Sequence, residues 1–323
     1  MPHEEGSEQA AMNGVVQDLK SVAPYDFFLS NGLFPSDHTL ADRSFRMAAR
    51  FGGRTALISV TDLGSVEHPQ IRMSVQAIHP ISGDQIQAAS ILCDSILNLS
   101  LDLTPFYRSV SKDSVLGPIT RRLRGLKPRK TPTIFEAVVR AILEQQISLA
   151  VAHRIQDRLI QTYGERLSLG KDVYYTFPDP AQLAEAREED LRACGLSRNK
   201  ATYIRSIARD VAGGSLRIED LAKEKDTDRI LSRLTEIRGI GTWTAEMVLL
   251  RGFGRYAAFP AADLGLRRTL SHFYRSENRS MSEEEARQLA EEWGSWKGLA
   301  GFYLIAAEIT GKGQVRTENG DRT

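Results

Sequence analysis

Cysteine is scarce in this sequence of 323 residues. Its two cysteines, Cys93 and Cys194, stand far apart, without the paired spacing of a zinc site and at half the number that a four-iron cluster takes. No cysteine-held metal and no iron-sulfur cluster is expected, and both thiols read as free. Long hydrophobic runs are missing as well. Stretches such as Met247 to Leu250 fall far short of the roughly 20 apolar residues of a membrane-crossing helix, so no membrane span is expected. Residues Met1 to Ala11 are acidic and polar where a secretory signal has a basic start and an apolar centre, which points to an intracellular protein. Nor is either charge in excess: 42 Lys+Arg against 41 Asp+Glu leave +1. That balance leaves nucleic acid open as a partner, because the distribution of basic side chains matters more than their sum.

The composition, 41% hydrophobic and 26% charged, is that of a globular chain, and the length suits about two domains at roughly 150 residues each. Residues 1–22 and 312–323 are polar and read as disordered tails. Residues 23–112 read as a small α+β domain. Ala56, Ile58, Val60 and Ile71, Met73, Val75 alternate apolar with polar, the pattern of an antiparallel pair, and Ile86, Ala89, Cys93, Ile96 follow the spacing of a helix covering that sheet. Residues 113–132 contain Arg121, Arg122, Arg124, Lys127, Arg129 and Lys130 among Gly and Pro, with no acidic residue between Asp113 and Glu136. This basic linker is either a solvated connection or an arm that contacts phosphates.

Residues 133–311 read as all-helical. Ser148 is a suitable N-cap, which places a helix break at Gln145-Gln146-Ile147. Further helices are expected around Asp179 to Ala193, Lys200 to Ala212 and Asp228 to Leu234. Ser282-Glu283-Glu284-Glu285 is a capping box, and a last helix begins near Ser295-Trp296. Within this region, Leu234 to Ala245 contains Gly239-Ile240-Gly241 ahead of a helical start. Two glycines one residue apart let the chain reverse and leave backbone N–H groups pointing outward at a helix N-terminus, where a phosphate oxygen can bind. By itself such a sequence reads equally well as a helical corner.

The corner has company, however. The stretch resembles the helix-hairpin-helix of a DNA glycosylase superfamily, in which the hairpin is followed by a Gly/Pro-rich loop with a catalytic aspartate. Phe259-Pro260-Ala261-Ala262-Asp263-Leu264-Gly265 is similar to that loop. Phe135 to Gln146, Tyr163-Gly164-Glu165-Arg166-Leu167 and Trp293-Gly294-Ser295-Trp296 resemble the 3-methyladenine DNA glycosylase II branch, in the right order between Thr133 and Ile309. The fold so implied is an α+β N-terminal domain followed by a mainly all-α helix-hairpin-helix glycosylase region.

The resemblance assigns roles residue by residue. Asp263 becomes the catalytic residue, an anion set against the positive charge that develops on the sugar when a base departs. Locally it reads equally as the cap of the helix Leu264 to Phe273, and both readings can hold at once. Members that also cleave the strand have a Schiff-base lysine two residues after the second glycine of the hairpin. Trp243 stands there instead, so water is the expected nucleophile and an abasic site the product. Trp243 and Trp296 should line the base pocket, where aromatic faces attract electron-poor alkylated purines, although Trp243 also suits a core. The other pocket positions fall on Met247 and Leu264, with Gln145 beside them. Gln146 takes the place of the wedge that fills the gap left by the flipped nucleotide, or is a surface amide. Gly239, Gly241 and Thr242 should meet a DNA phosphate, and the carbonyls of Thr235, Ile237 and Ile240 should hold a monovalent cation. No organic cofactor is implied. The partner expected is double-stranded DNA with a damaged base, bound by a monomer, in base excision repair of alkylated purines. The alternatives are another lesion, deaminated or oxidised purine, on the same fold, and a non-catalytic DNA-binding protein.

Overall fold

The structure is a computed structural model that describes residues 13–33, 39–41, 43–51, 53–275 and 280–318. Most of the first expected tail and the last residues of the second, 1–12 and 319–323, lie outside these. The described part of both tails differs from expectation. Residues Asn13–Leu19 form strand β1, paired antiparallel with the strand β5 defined below, Val15 opposite Val75. Its side chains alternate between exposed and half-buried, as on an edge strand with one wet face, and such a polar composition cannot be told from a tail without its partner.

Helix α1 (Phe27–Gly32) is capped by Asp26 and precedes β2 (Thr39–Ala41), β3 (Ser44–Phe51), β4 (Arg54–Asp62) and β5 (Ile71–Ala77). The sheet order is β1-β5-β4-β3-β2, antiparallel throughout. The two strands foreseen from alternation pair as expected, Ile58 with Val75 and Val60 with Met73. Helix α2 (Gly83–Leu97), opened by a capping box of Ser82 and Gln85, lays Ala89, Cys93 and Ile96 on the sheet, where Phe45, Ile58 and Met73 are fully buried.

The expected basic linker is a folded segment. Helices α3 (Thr104–Ser109) and α4 (Leu116–Arg122) bury Leu103, Phe106, Leu116, Ile119, Leu123 and Leu126 in one core with the C-terminal helices, so the N-terminal domain ends before residue 112. Arg121, Arg122 and Arg124 are exposed, Arg122 donating to the Ala307 carbonyl and Arg124 pairing with Glu67. The segment is amphipathic over one short helix, too short for a periodic signal to outweigh its basic residues and Gly/Pro. Lys127 is wholly buried, its Nζ donating to the carbonyls of Val22 at 2.7 Å and Leu99 at 2.9 Å.

Helices then follow as α5 (Ile134–Glu144), α6 (Leu149–Tyr163), α7 (Pro180–Glu185), α8 (Glu188–Ala193), α9 (Arg198–Ala212), α10 (Thr227–Thr235), α11 (Thr242–Val248), α12 (Leu264–Tyr274), α13 (Glu283–Ala290) and α14 (Lys297–Glu318). Between α6 and α7 stands an unforeseen hairpin, β6 (Arg166–Leu169) with β7 (Asp172–Tyr175). Its Leu167 and Leu169 pack on Ala48 and Leu57 of the sheet, and Arg50 pairs with Glu165 and Asp179, so the sheet domain docks on the helical part. At the other end α14 runs through residues 312–318 of the expected tail, since extending an established helix is cheap even for a polar sequence.

The helices have two cores. Phe135, Val138, Leu159, Ile204, Leu234 and Val248 belong to the first, and Phe106, Leu116, Leu266, Leu270 and Tyr303 to the second. The chain passes from one to the other between Ala258, in the first, and Phe259, in the second. Asp263 lies four residues beyond that crossing.

Candidate active site

Asp263 is placed by the loop that precedes it. Phe259 and Ala261 are buried in the second core, with Phe259 edge-on to Trp293, and Asp263 N–H donates to the Pro260 carbonyl at 2.8 Å. The carboxylate has two donors of different origin. Its Oδ1 accepts the Leu266 N–H at 2.8 Å, the N-cap bond of α12, and its Oδ2 accepts the indole N–H of Trp243 at 3.1 Å. The capping reading of Asp263 therefore holds, and the oxygen that the cap leaves over faces the hairpin across the two cores.

Trp243 lies in the first turn of α11, half-buried against the first core. One turn further along the same helix face, Met247 is buried. Trp296 belongs to the second core, half-buried and tilted against Phe106 at 6.1 Å between ring centroids. Leu264, the first residue of α12, is 68% exposed, so it forms no wall of an enclosed pocket in this structure.

The hairpin is the turn from α10 into α11. Gly239 has φ +96, and a Cβ there would come within 2.5 Å of the Tyr203 ring, so this glycine is required by the packing. Gly241 has ordinary φ and a Cβ there would meet nothing within 4 Å; it is the exposed N-cap of α11, with no side-chain cap. The first N–H groups of α11, from Thr242 on, therefore have neither a helical partner nor a capping side chain. Ile237 accepts the Ile240 N–H at 3.0 Å and keeps a second lone pair, while α10 ends at Thr235 with its last carbonyls past the helical ladder. These are neutral, hard oxygen donors that suit a monovalent cation. Among the described residues no cluster of His, Cys, Asp and Glu could hold a metal.

Gln145 has a task the sequence did not show: its amide N donates to the Gly239 carbonyl and to Thr244 Oγ1, both at 2.9 Å, and so ties the end of α5 to the hairpin. A partly buried carbonyl in a tight turn gains from a donor, and that donor depends on the tertiary approach of α5, which local sequence does not disclose. Gln146 is exposed and has φ +56, a left-handed conformation that non-glycine residues seldom adopt. Lys200, a residue the sequence did not single out, donates from Nζ to the carbonyls of Leu143 at 2.8 Å and Gln145 at 2.7 Å. It satisfies the C-terminal carbonyls of α5 and fixes the loop that presents Gln146; burial lowers its affinity for the proton. Glu246 of α11, buried and pushed above the ordinary carboxyl range by that burial, pairs with Arg287 of α13 at 2.9 Å and joins the two cores. Neither Lys200 nor Glu246 has a local sequence signal, because each acts on a partner distant in the chain.

Comparison with known proteins bears on this arrangement. The signature of the HhH-GPD superfamily of base excision DNA repair proteins matches residues 139–295. The chain is 34% identical over 209 residues to the DNA-3-methyladenine glycosylase of Bacillus subtilis, covering 64% of this chain and 68% of that one. It is 26% identical to DNA-3-methyladenine glycosylase 2 of Escherichia coli, covering 88% and 95%. The solved 3-methyladenine DNA-glycosylase of Archaeoglobus fulgidus superposes with a TM-score of 0.78 at 26% identity, covering 90% of this chain and 98% of that one.

Proposed function

Because the chain belongs to the HhH-GPD superfamily of base excision DNA repair proteins, in its DNA-3-methyladenine glycosylase branch, we propose that it excises alkylated purines at Asp263. It is a DNA N-glycosylase. The observation that carries the assignment of its centre is the Asp263 carboxylate held by one donor from each core, with an aromatic ring as one of them.

In the proposed reaction the nucleotide leaves the stack, at a cost of a few kcal/mol that is lowest for a weakened pair, and Gln146 fills the space it vacates. The purine enters against Trp243 and Trp296, whose ring faces favour a cationic or electron-poor base. As the C1′–N bond breaks, the electron pair leaves with the base, and the fixed Asp263 charge offsets the positive charge on the sugar. Water adds to C1′ and gives up one proton to solvent, leaving free base and an abasic site. No amine stands at position 243 to form a Schiff base, so the strand is left intact. The N–H groups after Gly241 receive a phosphate, and a monovalent cation on the Thr235, Ile237 and Ile240 carbonyls would add a positive charge facing it. Damaged duplex is the partner, a single copy of the chain is the working unit, and the setting is intracellular. No helix among the described residues is long and apolar enough to cross a membrane.

The test is Asp263→Asn, which keeps the shape and removes the charge. Loss of one preorganised electrostatic contact costs about 3–4 kcal/mol, or a hundredfold or more in rate. Single-turnover release of an alkylated purine should fall by that factor with duplex binding retained. Near-parental excision would remove Asp263 from the mechanism.

A further inference from the structure

Placing Trp243 in the base pocket uses its ring and leaves its N–H unassigned. We infer that this N–H orients the Asp263 carboxylate, which makes Trp243 a positioning residue for bond cleavage in addition to a surface for the base. The inference rests on the reading of Asp263 as the catalytic anion. With the Leu266 N–H alone on Oδ1, the carboxylate could still swing its other oxygen about that bond. The Trp243 N–H on Oδ2 fixes the second oxygen and with it the plane of the group. The two donors belong to different bodies: Leu266 to the second core, Trp243 to a helix of the first. The orientation of the catalytic charge is thus set by how those bodies meet, and the indole is where they touch the reacting group.

Trp243 is itself held in place. Its helix starts at the hairpin, whose Gly239 carbonyl and Thr244 hydroxyl are both gripped by Gln145, and the Gln145 carbonyl is gripped in turn by Lys200. A ring needed merely as a stacking surface could rotate about its side-chain bonds; one that also donates to Oδ2 has a single useful rotamer. Phenylalanine would preserve an aromatic face at position 243 and lose the donor.

The experiment compares Trp243→Phe with the parent in single-turnover excision from an alkylated-purine duplex, in affinity for a duplex with a tetrahydrofuran abasic analogue, and in thermal melting. The expected result is an excision rate lower by about tenfold to a hundredfold, with affinity and melting close to parental. In the double variant Asp263→Asn with Trp243→Phe, the second change should cost little more, because the donor acts through the carboxylate. Should Trp243→Phe fold poorly, incorporation of benzothienylalanine at position 243 keeps the bicyclic shape with sulfur in place of N–H, and the same loss is expected. Parental excision by the folded phenylalanine or benzothienylalanine protein overturns the inference. So does an equal loss in the Asp263→Asn background, which would show the N–H acting elsewhere, for instance on the base. In both cases an inactive Asp263→Asn leaves the catalytic reading standing, whereas an active one overturns both.

Discussion

A tryptophan and an aspartate twenty positions apart each had two readings in the sequence, and one hydrogen bond joins the two side chains. The helix cap of Asp263 and its bond to Trp243 use different oxygens. That both belong to one motif was legible; that they touch was not, since the contact depends on how two cores meet. Gln145 shows a related case, a residue singled out from the motif whose hydrogen bonds were not legible, because its partners come from the hairpin. Lys127 was read as part of a basic run and is instead a buried ammonium on two carbonyls, lowered to about 8 by burial. Between that value and its unfolded value near 10.5 the unfolded chain holds a proton that the folded chain has released, so this group makes stability rise with pH. The advantage of the parent over Lys127→Met in unfolding free energy should therefore grow by about 2 kcal/mol from pH 8 to pH 10. Denaturant unfolding at several pH values measures it; a flat or falling difference would contradict the assignment.

Among the elements, the hairpin was legible because Gly-x-Gly before an apolar helix constrains the backbone locally. The α5 break was legible too, through the Ser148 cap, which accepts the Val151 N–H as expected. Strand β1, helix α4 and the β6–β7 hairpin were not, because each is short and takes its stability from a distant partner. The hairpin's two glycines should separate structure from binding. Gly239→Ala forces a side chain into the Tyr203 ring at positive φ and should destabilise the fold by about 1–3 kcal/mol. Gly241→Val meets open space and should fold within about 1 kcal/mol of the parent. Its side chain stands between the exposed N–H groups and any phosphate, so affinity for damaged and undamaged duplex should fall together, by about tenfold, since a phosphate contact carries no base information. Circular dichroism, melting and duplex titration distinguish the two; a folded Gly241→Val that binds like the parent would make the hairpin a mere corner.

In the whole molecule, the order of a sheet domain followed by helices was legible from periodicity, while the division of the helices into two cores was not. That division depends on residues 103–126 joining helices almost 200 positions later, as when Tyr107 and Tyr303 meet at 3.0 Å, and nothing in local pattern announces such a pairing. It matters for function because the crossing between the cores delivers Asp263 to Trp243. The central claim is that this junction hydrolyses the bond between an alkylated purine and its sugar. The most direct test is to incubate the full chain with a duplex carrying one methylated purine, identify the released species by mass, and analyse the strand before and after alkali with borohydride present. The expected result is free methylated purine, a strand that breaks only after alkali, and no trapped protein–DNA adduct. Binding without release of base, or a borohydride-trapped adduct with breakage before alkali, would contradict it.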